Sequence, residues 1–172
     1  LVLELYCGWA IDGNTIFVGD GGAISGAGGN AKVYKTTNGG TTWTMILSTG
    51  GSGGFINSVV FSRTTPSFGV IQSDPPLGLG QLYWLLKTTD GGATWTQFSA
   101  PGISGAASSQ NGLVVIDALF FNFGLNAGTP RLYGTANGGT SWTVMNLTGI
   151  TGPFISGNAW STDKQRGCGC SS

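Results

Sequence analysis

Seven Lys and Arg balance seven Asp and Glu in this chain of 172 residues, and the charged fraction of 8% lies far below the roughly 25% of an average globular protein. The basic residues (Lys32, Lys35, Arg63, Lys87, Arg131, Lys164, Arg166) are scattered, which excludes the clustered cations of a nucleic-acid surface, and no apolar run is long enough for a membrane span. With no His and only three Cys, the usual zinc frameworks are excluded, so neither metal nor cofactor is expected.

The opening Leu1-Val2-Leu3-Glu4-Leu5 has neither a Met nor the basic region of a signal peptide, as expected of a mature, processed or trimmed chain. A first unit, about residues 8–47, then offers apolar strands at 15–18 and 32–35. The turn Thr36-Thr37-Asn38-Gly39-Gly40-Thr41-Thr42-Trp43 follows, and another strand at 44–47. A second unit, about 55–98, repeats the pattern: strands at 58–61, 69–71 and 82–86, the turn Thr88-Thr89-Asp90-Gly91-Gly92-Ala93-Thr94-Trp95, and a strand at 96–98. A third, about 111–146, has strands at 113–116, 118–121 and 131–133, the turn Thr135-Ala136-Asn137-Gly138-Gly139-Thr140-Ser141-Trp142, and a strand at 143–145. Asn-Gly or Asp-Gly between two short apolar runs is a strong hairpin signal, because those residues tolerate the positive φ of the turn.

Near the C-terminus, Ala159-Trp160-Ser161-Thr162-Asp163 echoes Gly8-Trp9-Ala10-Ile11-Asp12 and opens a fourth unit, about 154–172, with too few residues after it for a whole repeat. Four short strands about every 50 residues, with Gly at 32 positions and no helical periodicity, predict an all-β chain. It consists of β-propeller blades of four antiparallel strands, about three and a half blades in a single propeller unit. An unclosed blade array leaves strand edges open. These are expected to be covered by a second copy of the chain, in a dimer, ring or filament, or by further blades.

The three turns resemble the Asp-box, or BNR, repeat, Ser/Thr-x-Asp/Asn-x-Gly-x-Thr/Ser-Trp, matched at every fixed position by Thr36, Asn38, Gly40 and Trp43, by Thr88, Asp90, Gly92 and Trp95, and by Thr135, Asn137, Gly139 and Trp142. The surrounding wording looks most like secreted bacterial Asp-box proteins. The resemblance implies a peripheral, structural turn, with Asn or Asp accepting hydrogen bonds from its own loop and Trp packing between blades. Sialidases share the pattern, but their arginine triad and Tyr–Glu pair have no counterpart here: there are three Arg, and Glu4 is the one Glu. A serine or cysteine hydrolase lacks its His.

No catalytic residue is therefore expected. Candidate ligand or interface residues are Asp20 and Asp74, each ending a strand before a Gly- or Pro-rich loop, and Trp9, Trp84 and Trp160, which lie outside the boxes. Cys7, Cys168 and Cys170 are candidates for a disulfide that ties the chain's two ends. The expected protein is a secreted or cell-surface structural or interaction module that assembles with copies of itself or binds protein neighbours; the alternative is a lectin-like module that binds glycans.

Overall fold

A computed structural model describes residues 4–22, 30–50, 54–74, 84–98, 107–126, 130–146 and 155–171, with side chains through most of those spans. Among them there is no helix, and fourteen strands fall into four antiparallel sheets. Sheet one is β1 (Leu5–Ala10), β2 (Ile16–Asp20), β3 (Lys32–Thr36) and β4 (Thr44–Ser48); sheet two is β5 (Ile56–Phe61), β6 (Gly69–Ser73), β7 (Trp84–Thr88) and β8 (Thr96–Phe98). Sheet three is β9 (Ala107–Val115), β10 (Phe121–Asn126), β11 (Pro130–Thr135) and β12 (Thr143–Asn146), and β13 (Ile155–Trp160) pairs with β14 (Gly167–Ser171).

In the first three sheets the strands pair in chain order, each a four-stranded meander. The first strands lie side by side, β1 on β5, β5 on β9 and β9 on β13, so the sheets stack face to face about an inner edge. That is the arrangement of propeller blades, and the chain is a partial β-propeller of several blades.

Period-2 patterning explains why the sheets stack. In β6 every residue is buried, because Ile71 packs toward sheet one with Phe17 and Val33 while Val70 packs toward sheet three with Leu113, Phe121 and Phe123. A strand between two neighbours needs apolar side chains on both faces. The two resulting cores are aromatic: Phe17 lies 4.7 Å from Phe61, and Phe121 5.9 Å from Phe68, ring centre to ring centre.

Two local readings need correction. Residues 118–121 do not form a strand: residues 116–119 are a bend in which the Asp117 carboxylate accepts from the N–H groups of Leu119 and Phe120. The next strand starts at Phe121. The carboxylate satisfies two backbone donors at once, so a turn wins over the apolar run. The echo between Trp9 and Trp160 is also off by one. Trp160 pairs with Gly167 as the last pair before its turn, the place held in sheet one by Ala10 opposite Ile16. The fourth turn is one residue longer, with Ser161 N–H bonded to the Arg166 carbonyl against Ile11 N–H to that of Thr15. A one-residue slip sends a side chain to the other face of a strand: Trp9 packs against the core between sheets one and two, Trp160 edge-on against Phe120, just before β10, 5.3 Å between ring centres.

Candidate binding cleft

The repeated turns close in the same way three times. The Thr36 hydroxyl donates to Asn38 Oδ1 at 2.9 Å and accepts from Gly40 N–H at 3.0 Å, and Asn38 Oδ1 also accepts from Thr42 N–H at 2.9 Å. Thr88, Asp90, Gly92 and Thr94 repeat this, as do Thr135, Asn137, Gly139 and Ser141. One difference is chemical. Asn38 and Asn137 donate an amide N–H to the hydroxyl of Thr42 and Ser141, whereas Asp90 accepts from the Thr94 hydroxyl at 2.6 Å. That hydroxyl, the Thr94 N–H and the Thr88 hydroxyl hold the Asp90 carboxyl well below its ordinary pKa. The second glycine of each turn sits at φ of +92°, +77° and +89°, a region that L side chains rarely adopt.

Trp95 and Trp142 pack across sheet boundaries. Trp95 meets Phe17 of sheet one and Phe61 of its own sheet edge-on, at 6.5 and 5.8 Å. Trp142 stacks on Phe98 of sheet two at 6.4 Å and meets Phe123 edge-on at 5.2 Å. Trp43 has no such neighbour among the described residues and is 41% exposed.

Where the first strands converge they enclose a cleft of about 530 Å³. Its wall is apolar, from Val59 and Val60 of β5 and Leu113 to Val115 of β9, with Trp9 on one side and Trp160 on the other. The turn after β5 places Arg63 in it. Ser62 holds that turn by accepting from Thr64 and Thr65 N–H and donating to the Ile116 carbonyl, in the bend after β9, at 2.5 Å. The Arg63 guanidinium lies over the Trp9 ring, 5.0 Å from its centre, a cation–π contact. No Asp or Glu is among the residues that line the cleft, and among the described residues the one side-chain ion pair joins Lys164 to Asp117. The cleft is therefore a largely apolar, aromatic slot, with Ser58, Thr64 and Thr162 also in its lining, and it holds a cation with no acid among the lining residues.

Of the sequence candidates, Trp9, Trp160 and Cys7 line this cleft and the other described ones lie elsewhere. Asp20 is buried and caps its own loop, accepting from Gly22 N–H at 3.1 Å and Lys32 N–H at 2.6 Å. Asp74 accepts from the Asn57 amide at 2.8 Å. Trp84 packs against the core between sheets one and two. Cys7 is a free thiol at the cleft wall, and burial pushes its pKa up to about 12. Cys168 is free and exposed, and the side chain of Cys170 lies outside the described residues. Arg63 carried no signal as a site residue, since it reaches Trp9 only through the packing of two sheets.

The remaining acids are tied into turns. Asp12 accepts from the N–H groups of Thr15 and Asn14, which hold its pKa down. Burial raises that of Asp117, but the Lys164 ammonium and the N–H groups of Phe120 and Leu119 outweigh it, for a net lowering. The Ser161 hydroxyl and Gln165 N–H lower that of Asp163. Glu4 accepts from the Tyr6 hydroxyl. No group of three or more metal-ligating side chains occurs among the described residues, and no described helix is long and apolar enough to cross a membrane.

These features define a propeller-fold scaffold with a slot at its inner edge. No protein-family model matches the chain, and no curated protein matches it by sequence. Solved structures do match. One is YCF48 bound to a D1 peptide, 22% identical with a TM-score of 0.60, covering 83% of this chain and 40% of that one. Others are an ancestral GH74 enzyme, 18% identical with a TM-score of 0.64 over 94% of this chain and 21% of that one, and the GH74 enzyme of Niastella koreensis, 16% identical with a TM-score of 0.61 over 93% and 25%. At these identities the likeness shows the β-propeller fold, and the chain spans less than half the length of each.

Proposed function

We propose that the chain is a non-catalytic interaction module, working outside the cell or at its surface, that holds an extended segment of a protein partner in the cleft between Trp9 and Trp160. Its three repeated turns are read as Asp-box turns whose work is structural. The observation that carries the reading is the composition of the cleft: two indole rings, an apolar wall and the Arg63 guanidinium, with no carboxylate among the lining residues. Glycoside hydrolysis needs a pair of carboxyl groups flanking the scissile bond, one of them with a raised pKa. Here Asp12, Asp90 and Asp163 have theirs lowered by turn hydrogen bonds, and Asp117 by Lys164 and its own turn, which keeps them ionised and suits a structural role. An apolar slot with a few fixed polar groups is the usual form of a binding site, and a propeller of similar fold, YCF48, is known bound to a peptide.

The test is a paired screen of the full chain against a displayed library of random linear peptides and against a glycan array, with fluorogenic glycosides as a third arm. Enrichment of peptides that carry an acidic side chain or a free carboxylate, lost on Arg63→Ala, supports the reading. Glycan retention without peptide enrichment moves the function to a lectin, and glycoside turnover overturns the non-catalytic assignment.

A further inference from the structure

The junctions between the first three sheets repeat one pairing. A lysine on the third strand of one sheet reaches the turn of the next: Lys35 Nζ donates to the Gly91 carbonyl at 3.0 Å, and Lys87 Nζ to the Gly138 carbonyl at 3.3 Å. Under each ammonium lies an aromatic ring of the lysine's own sheet, Phe17 at 5.1 Å and Phe98 at 5.3 Å. The same ring is the surface on which the next turn rests: a Cβ on Gly92 would fall 2.7 Å from Phe17, and one on Gly139 2.9 Å from Phe98. The ring comes from the second strand in one junction and from the fourth in the other, so the donor side is built from different residues. The receiving side is constant, consisting of Ile71, Leu86 and Trp95 in sheet two and Phe123, Tyr133 and Trp142 in sheet three.

Sheet one carries a third receiving side, against which no other sheet packs among the described residues. Val18 pairs with Tyr34 as Ile71 pairs with Leu86 and Phe123 with Tyr133. Yet Val18 and Tyr34 are only half-buried where Ile71, Leu86, Phe123 and Tyr133 are buried, and Trp43 is 41% exposed where Trp95 and Trp142 are half-buried. Beside Gly40 a Cβ would meet nothing nearer than the chain's own Trp43, at 3.8 Å. No described lysine reaches the Gly39 carbonyl.

We propose that this face, Val18, Tyr34, Trp43 and the Gly39–Gly40 turn, is a docking surface for a further four-stranded blade, one whose third strand carries a lysine in the place that Lys35 and Lys87 hold here. Continuity with the two existing junctions and the lysine-to-carbonyl match identify the occupant. A second copy of this chain does not supply it. Its Lys35 and Lys87 are already engaged, and Gly134, on β11 opposite Asn122, stands in that place in sheet three. Sheet four has two strands among the described residues. The inference is independent of the cleft, which lies at the inner edge.

The probe is a blade of the stated chemistry delivered in cis. A second copy of residues 4–54, with its own Trp43 changed to Phe, is fused ahead of Glu4 of the full chain. Acrylamide quenching of the original Trp43 is isolated by difference against a Trp43→Phe version. The expected result is that quenching of Trp43 falls to the level of Trp95, and that Lys35→Met in the added copy alone restores much of it. The proposal is overturned if Trp43 stays as quenchable as in the unfused chain, or if Lys35→Met leaves the protection intact. It is also overturned if Trp43 of the unfused chain becomes protected as its concentration rises, which would make a second copy the occupant.

Discussion

Trp95 and Trp43 occupy the same place in two copies of one turn, but a preceding sheet covers only the first. An enclosed aromatic side chain removes roughly 150–250 Å² from water, corresponding to roughly 4–6 kcal/mol at about 25 cal/mol per Å². Trp95 is not fully enclosed, and its buried Nε1 has no partner, an arrangement that itself costs stability. Trp95→Ala should therefore destabilise by about 3 kcal/mol, near the lower end for large buried aromatics. Trp43 has no ring of a preceding sheet against it, and Trp43→Ala should cost about 1 kcal/mol, as an average substitution does. Urea unfolding followed by far-ultraviolet circular dichroism reads both. The difference of about 2 kcal/mol corresponds to a gap of roughly 4–8 °C in melting temperature for a chain of this size. Equal losses for the two variants would refute the claim that sheet-to-sheet packing, and not the turn itself, sets the value of this tryptophan.

Asp90→Asn places in the second turn the residue found in the other two, and should keep the fold. Because the turn holds the Asp90 pKa below its unfolded value, the carboxylate contributes stability that is fully present above the unfolded pKa of about 4 and is lost as pH falls through the folded one. Melting temperatures from pH 7 down to pH 2 should accordingly fall less steeply for Asp90→Asn than for wild type; parallel curves would contradict this. Cys7, with a thiol pKa pushed up to about 12 by burial, should resist iodoacetamide in the native protein at pH 8 while exposed Cys168 reacts. Intact-mass spectrometry checks this, and rapid native labelling of Cys7 would show that the inner edge of sheet one opens.

The stacking of sheets was legible because its signals are local. Asn-Gly-Gly and Asp-Gly-Gly between short apolar runs specify hairpins wherever they stand, and their three recurrences mark off repeated units. What lay beyond reach depended on packing between units. Residues 107–112, Ala-Ser-Ser-Gln-Asn-Gly, carry no apolar alternation, yet they form the first two thirds of β9, with Ala107 and Ser108 paired to β10. Trp9 and Trp160 were both named from sequence, but the shared Trp-to-Asp spacing suggested equivalent places, and one extra residue in the fourth turn puts them on opposite faces. Arg63 was visible only as one scattered cation, because its partner ring belongs to a different sheet. The three lysine positions, Lys35, Lys87 and the exception at Gly134, stood in plain view one residue before each turn. Their meaning depends on knowing that each sheet leans on the turn of the next.

The central claim is that the chain binds a protein segment at Arg63 between Trp9 and Trp160. It is tested most directly by titrating a peptide selected on the wild-type chain into the ¹⁵N-labelled protein and following the indole N–H resonances. The account predicts shifts at Trp9 and Trp160 that leave Trp43 unmoved, and an affinity about tenfold weaker, or about 1.4 kcal/mol, for Arg63→Ala. Shifts confined to other tryptophans, or unchanged affinity on loss of Arg63, would place the binding site elsewhere and contradict it.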